Sequence, residues 1–413
     1  MDGNAGVESI AELAQPERLR TELERAFVGS TVRAVVVGFR CGARTAWAAL
    51  GEDTESSGRW QAPIRVGCIA KLLTAMLARR AFDARRFAPD ELASDLFTAG
   101  ETRRVLRGVS VRQLLEHTHG LDDSRLSVPP RDSRGCIDVE ALAHELIAAA
   151  PLATPGTLYS YGNAGACLIS ALLERVGCRP YAVQLVEELL EPLGLGALGA
   201  AASICPATGG DLALDPSCLL DVVAEAAFAA PDVWPDDECS GDYGFAIPLP
   251  GWNPLERGVY LGWKYHGSGW LGHQSVWPGH SVLVRAHPRR RLALITASSN
   301  HAAAVVAARV FGAYLPELFE LKVPARPSAI LEPPTGTFRS AAWRVDIKRV
   351  GDECELRAHR PDRSDESSAV LRAVVPGLWL TRPVLSVFPH VELVAPDRVY
   401  LWNGRFVLPR VAQ

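Results

Sequence analysis

Val66-Gly67-Cys68-Ile69-Ala70-Lys71 opens the stretch on which the reading of this sequence turns. Apolar residues recur at helical spacing through residues 68–85, which predicts a helix with Cys68 at its N-terminal end. Residues three apart share a helix face, so Cys68 and Lys71 point toward one cleft. A helix N-terminus and a nearby ammonium both favour negative charge and lower a thiol pKa. Taken alone, the pair equally describes a small core cysteine followed by a solvated lysine. Lys71 gains weight from scarcity. Only Lys71, Lys264, Lys322 and Lys348 stand against thirty-nine arginines, and a guanidinium cannot serve as a base.

Outward from this stretch, residues 16–27 carry an amphipathic helix pattern with Pro16 in its first turn. Residues 31–50 read as two strands around a turn at Cys41-Gly42. Helices are expected at 110–118, 138–149, 163–176, 180–191 and 212–229, separated by Pro/Gly breaks. Strand signals return at 243–249, 258–266, 281–287 and 291–297, and a helix at 301–320 follows. Strands at both ends with helices between them make an α+β unit over 1–322, an antiparallel sheet with a helical insertion at about 85–235. Residues 323–334 hold four prolines and read as a linker. Short β-runs fill 335–413, with a tight turn at Asn403-Gly404, and predict a small β-barrel or curved sheet.

Composition narrows the function. The 413 residues are 48% hydrophobic and 22% charged, which excludes a disordered chain, a collagen and a coiled coil. The net charge of −4 argues against a broad basic surface, so no nucleic-acid partner is expected. No apolar run reaches the roughly 18 residues that span a bilayer, so no membrane partner is expected either. The acidic N-terminus lacks the basic and apolar regions of a signal peptide, which points to the cytoplasm. Nine cysteines, an odd number with no CxxC or zinc spacing, fit a reducing compartment. No metal or organic cofactor is expected.

Two further segments hold chemistry-bearing residues. Residues 155–163, PGTLYSYGN, place Tyr161 and Asn163 at the mouth of an apolar helix. A phenol relays protons and an amide orients a substrate amide, although a turn with an Asn helix cap fits equally well. Residues 265–275 run Tyr265-His266-Gly267-Ser268-Gly269-Trp270-Leu271-Gly272-His273-Gln274-Ser275. Glycines there leave backbone open to a substrate, and a plain glycine-rich turn is the competing reading. Trp252, Trp263, Trp270 and Trp277 surround this segment, either as core packing or as an aromatic wall for an acyl group. The acidic segment Asp236-Asp237-Glu238 is a weaker candidate border for a cleft.

In this order the segments resemble the serine β-lactamase and penicillin-binding-protein superfamily, most closely its class C, esterase and D-aminopeptidase branch. That family carries S-x-x-K, then Y-x-N, then K-T-G or H-x-G. Leu114 to Leu121, LLEHTHGL, is similar to its LLxHTSGL segment, which makes His117, His119, Asp122 and Asp123 parts of a structural turn rather than metal ligands. Glu191-Pro192-Leu193-Gly194-Leu195 and Asp242-Tyr243-Gly244-Phe245 also match family stretches. The resemblance implies a β-lactamase/transpeptidase-like fold over roughly 28–315. It makes Cys68 the nucleophile in place of serine, Lys71 its base or ion-pair partner, Tyr161 the second proton carrier and Asn163 the positioner of the acyl amide. His266 takes the place of the third-motif lysine. The oxyanion hole is expected at the Cys68 N–H and one near Gly269, with Gly267, Ser268 and Trp270 bordering the substrate. Two such donors are worth about 3 kcal/mol each.

Cysteine for serine leaves three readings. The first is an acyltransferase passing an acyl or aminoacyl group through a thioester to an amine or other acceptor, in small-molecule biosynthesis. The second is a hydrolase with a sulfur nucleophile, an esterase, amidase or peptidase. The third is an inert binding homologue. The expected partners are a small-molecule donor and acceptor, with a carrier protein among the candidates.

Overall fold

A computed structural model describes residues 10–28, 32–52, 60, 63–97, 100–193, 204–210, 212–229, 258–277, 279–300, 302–319, 335–340, 342–360, 366–375, 378–382, 390–395, 398–401 and 406–409. The stretches 236–249 and 323–334, the pair Gly194-Leu195, Trp252 and the turn at Asn403-Gly404 lie outside these residues. The chain divides into two compact units. One is drawn from Met1–Ala84, Leu173–Phe245 and Leu255–Leu321, the other from Arg85–Leu172, Ala246–Pro254 and Lys322–Gln413. The helices that position the site are α1 (Pro16–Phe27), α2 (Ala70–Asp83), α3 (Val111–Leu115), α4 (Val139–Ile147), α5 (Ala164–Gly177), α6 (Pro216–Phe228) and α7 (Ala303–Phe311).

The first unit is built on a seven-stranded antiparallel sheet. Its strands are β1 (Ala34–Cys41), β2 (Arg44–Gly51), β5 (Gly258–Tyr260), β6 (Trp263–Gly267), β7 (Trp270–Trp277), β8 (His280–His287) and β9 (Leu292–Ser298), in the order β2-β1-β9-β8-β7-β6-β5. A separate two-residue ladder joins β3 (Ile64–Arg65) to β4 (Ala213–Leu214). The expected β1–β2 hairpin forms, with Gly42 at φ +61° opening its turn. The sheet is closed from both ends of the unit, because β1 pairs with β9 from Val35↔Ser298 to Cys41↔Leu292.

One face of this sheet is covered by α1 and α7. Leu19 and Leu23 of α1 and Val306, Val310 and Phe311 of α7 pack on Val35, Val37 and Phe39 of β1 and on Leu294 of β9. Helix α6 packs on β8 and β9 as well. Cover on both faces explains why SVLV and LALITA are apolar without alternation. The helix expected at 301–320 is instead split into α7 and a turn at Pro316–Phe319, since a proline ring inside the run removes a hydrogen bond and breaks the helix.

In the second unit, short helices and loops of residues 85–172 group with an eight-stranded antiparallel sheet. Its strands run β10 (Gly336–Arg339), β11 (Arg344–Val350), β12 (Glu353–His359), β13 (Glu366–Val375), β14 (Leu378–Arg382), β15 (His390–Ala395), β16 (Arg398–Leu401) and β17 (Phe406–Pro409), each beside the next. This meander is the expected all-β C-terminal region. β11 and β12 alternate buried and outward residues, the pattern of strands with one covered face. The Ala342 N–H donates to Ser124 Oγ at 3.1 Å, tying the start of the meander to the loop that follows α3.

Candidate active site

The Cys68 cluster belongs to the first unit. Gly67 adopts φ +53°, a left-handed conformation that suits glycine, and turns the chain from β3 into a tight helical turn at Gly67–Ile69. Cys68 sits in this turn, half-buried, and α2 continues from Ala70. From Ala70 to Ala78 every residue of α2 is buried, as expected for a helix apolar on all sides.

Lys71 is only 4% exposed. Its Nζ donates to the Ala207 carbonyl at 2.7 Å. One turn further on, Thr74 Oγ1 reaches the Pro206 carbonyl at 3.2 Å and shares a hydrogen bond with the Tyr181 hydroxyl at 2.9 Å. Lys71 is therefore a buried, anchored side chain within the fold, not the solvated side chain of the alternative reading.

β7 is the strand that packs against the Gly67–Ile69 turn. The Cys68 backbone N–H donates to Ser275 Oγ at 3.1 Å. His273 lies two residues earlier and so shares the face of β7 that carries Ser275. It is buried, and its Nδ1 is engaged by the Gln274 backbone.

This placement corrects the expected third motif. His266 is buried on β6, one strand removed from the strand that meets Cys68. Gly267 ends β6, and Ser268 and Gly269, both at positive φ, form the two-residue turn into β7. That turn stands at the far end of β7 from Ser275, so the expected second oxyanion donor near Gly269 is not beside Cys68. Trp270 is 0% exposed and lies in the core with α1 and α7. Its Nε1–H donates to Glu317 Oε1 at 3.4 Å. It packs in the core; Trp263 is likewise buried.

Tyr161 and Asn163 belong to the second unit, and a loop after α3 holds them. His117, at φ +57°, packs its ring on Tyr161 with centroids 4.7 Å apart, and its carbonyl accepts from the Ser160 N–H at 2.8 Å. The Gly162 N–H donates to His117 Nδ1 at 3.4 Å. Asp123 Oδ2 accepts from the N–H groups of both Asn163 and Ala164, the latter at 2.6 Å. The cap at the start of α5 is thus a carboxylate forty residues back along the chain, placed where the helix dipole favours it. The Asn163 amide donates to the Leu126 carbonyl at 2.6 Å. Gly162 is required by close approach, because a Cβ there would lie 2.1 Å from Asp123 Oδ2.

His119 is buried beside this loop. Its Nδ1 accepts from the Leu121 N–H at 3.1 Å, which leaves the proton of a neutral ring on Nε2. Burial holds its pKa below the ordinary imidazole value, with Asp123 pulling the other way. Asp122 accepts from the Ser124 N–H and hydroxyl. His117, His119, Asp122 and Asp123 therefore do the work of a structural turn, as the motif match implied. Among the described residues no cluster of His, Cys, Asp and Glu could hold a metal ion, and no helix is long and apolar enough to cross a membrane.

Residues 22–203 match the family model described as Beta-lactamase. Among solved structures, SurE is 20% identical, covering 97% of this chain and all of its own, with a TM-score of 0.71. The octameric penicillin-binding protein homologue from Pyrococcus abyssi is 15% identical over 95% of this chain and 99% of its own, with a TM-score of 0.55. A D-stereospecific amidohydrolase from Streptomyces sp. is 20% identical over 73% of this chain and 98% of its own, with a TM-score of 0.52. At these identities the likeness is one of fold. No curated protein matches the sequence of this chain.

Proposed function

We propose that this chain, whose residues 22–203 form a Beta-lactamase family segment, is an acyl-transfer enzyme working through a thioester on Cys68. The observation that carries the reading is the pairing at the head of α2, a half-buried Cys68 followed one turn later by the buried, carbonyl-anchored Lys71. In this reading the Cys68 thiolate attacks the donor carbonyl. A carbon–sulfur bond forms, the bond to the leaving group breaks, and that group departs with a proton. An amine acceptor then attacks the thioester, gives up a proton and releases Cys68 as the thiol. Lys71 takes and returns the proton.

Sulfur argues for transfer. A thiol needs less help to ionise than an alcohol, and its thioester partitions toward amines over water. The donor we favour ends in a D-configured residue. SurE has been solved with D-Leu, and the neighbours include a D-stereospecific amidohydrolase and a D-amino acid amidase complexed with D-phenylalanine. Donor and acceptor are small molecules, with a carrier-borne donor as one form, and the setting is the cytoplasm. Hydrolysis is the competing outcome, supported by the amidase and carboxypeptidase names among the neighbours.

Intact-mass spectrometry with D- and L-terminated peptidyl thioesters tests this. The expected result is an acyl adduct on the wild type from the D-donor that disappears in Cys68→Ala. Added amine should then convert most of the adduct to amide. Full turnover by Cys68→Ala overturns the nucleophile assignment, and an unchanged acid product in the presence of amine makes the enzyme a hydrolase.

A further inference from the structure

The donor that a Cys68 reaction needs most is already engaged. An acyl carbonyl attacked by Cys68 becomes an oxyanion beside the Cys68 backbone N–H, the natural group to stabilise it. In the resting site that N–H points at Ser275 Oγ, 3.1 Å away. The hydroxyl is wedged in place. A Cβ on Gly67 would lie 2.0 Å from Ser275 Oγ and 3.1 Å from its Cβ, so Ser275 fills the space that a side chain at residue 67 would occupy. Ser275 is 2% exposed, and it projects from the strand that packs on the Cys68 turn.

We propose that Ser275 is a specificity-determining plug of the oxyanion site. Its Oγ stands in for the acyl carbonyl oxygen on the Cys68 N–H and must rotate away before that oxygen can take the donor. The proposal rests on Cys68 being the nucleophile. No bond is made or broken by Ser275; one acceptor replaces another on the same N–H. A donor anchored by contacts remote from the carbonyl supplies the free energy for the exchange, whereas a small activated ester with few such contacts does not. When an anchored donor saturates the site, its contacts have already displaced the hydroxyl in the bound complex, so the serine then slows acylation by an unanchored donor more than by the anchored one. A neutral hydrogen bond of this kind corresponds to roughly a fivefold preference.

The test compares wild type, Ser275→Ala and Ser275→Gly in acylation by a small aryl acetate and by a D-terminated peptidyl thioester, followed by intact mass. Iodoacetamide alkylation of Cys68 serves as a reaction that builds no oxyanion. With aryl acetate below saturation and peptidyl thioester at saturation, expected is an increase of about fivefold in aryl-acetate acylation for both variants, a smaller increase with the peptidyl donor, and an unchanged alkylation rate. An equal increase with both donors would overturn the specificity role. Slower acylation with unchanged alkylation would make the hydroxyl a donor and overturn the plug. Equal change in acylation and alkylation would make Ser275 merely structural, and no change in either would remove its role. If the wild type forms no acyl adduct on Cys68 at all, the nucleophile reading has failed, and not this inference alone.

Discussion

Gly67 is where backbone conformation and chemistry meet. Its φ of +53° and the 2.0 Å approach of Ser275 Oγ leave no room for a methyl group. Gly67→Ala is expected to lower stability by about 1–3 kcal/mol through backbone strain and to abolish thioester formation by displacing Cys68. Thermal melting and intact mass on one sample check both. Asp123 carries a separate load. Asp123→Ala strips an acceptor from two buried N–H groups at the head of α5, at an expected cost of about 2–4 kcal/mol in denaturant unfolding. Asp123→Asn, which keeps one acceptor, should cost less. His119 makes the acid limb of stability testable. Its folded pKa lies below the ordinary 6.5. Below about pH 6.5 the unfolded chain therefore binds a proton that the folded chain refuses, and stability falls as pH drops toward the folded pKa. His119→Asn keeps an acceptor for the Leu121 N–H and removes the titration. The stability of the wild type relative to this variant should decline from pH 7.5 to pH 5.5 in paired urea melts.

Elements of strong period were legible in the sequence. Helix α2 follows from its apolar spacing, and β8 and β9 follow from two apolar runs around Pro288-Arg289-Arg290. Lys71 was legible too, because so few lysines occur. The third motif was misplaced for a physical reason. His266-Gly267 and Gly272-His273 sit on neighbouring strands, β6 and β7. Which strand lies against Gly67–Ile69 is decided by the sheet order, a long-range property with no local signal. Asp123 escaped notice as a cap for the same reason, since forty residues separate it from the helix start it serves. The amphipathic pattern of α1 was legible, and the packing of its neighbour α7 on the sheet sets a magnitude. Phe311 is fully buried against Phe39, with ring centroids 5.8 Å apart. Phe311→Ala should destabilise the first unit by about 3–5 kcal/mol in equilibrium unfolding.

At the scale of the whole molecule, the all-β C-terminal run was read correctly as a class but not as a neighbour. Its grouping with residues 85–172 depends on contacts such as the Ala342 N–H on Ser124, which no spacing announces. A chain ending at residue 334 is expected to lose amide-exchange protection in the loop 117–126, which contributes His117 and Asp123 to the Tyr161 cluster. The core amides of β1 and β9 should keep theirs. Protection unchanged in that loop would show that the meander does not support it.

The pairing of β1 with β9 has a consequence during synthesis. Val35 waits for Ser298, roughly 260 residues later, or about 13–50 s of elongation at ordinary translation rates. Until then the β1–β2 hairpin emerges with an apolar face and an open edge, ready to pair with whatever strand is nearest. Slowing the ribosome should lower the yield of native protein, and trigger-factor-like chaperones that shield nascent apolar segments should restore it.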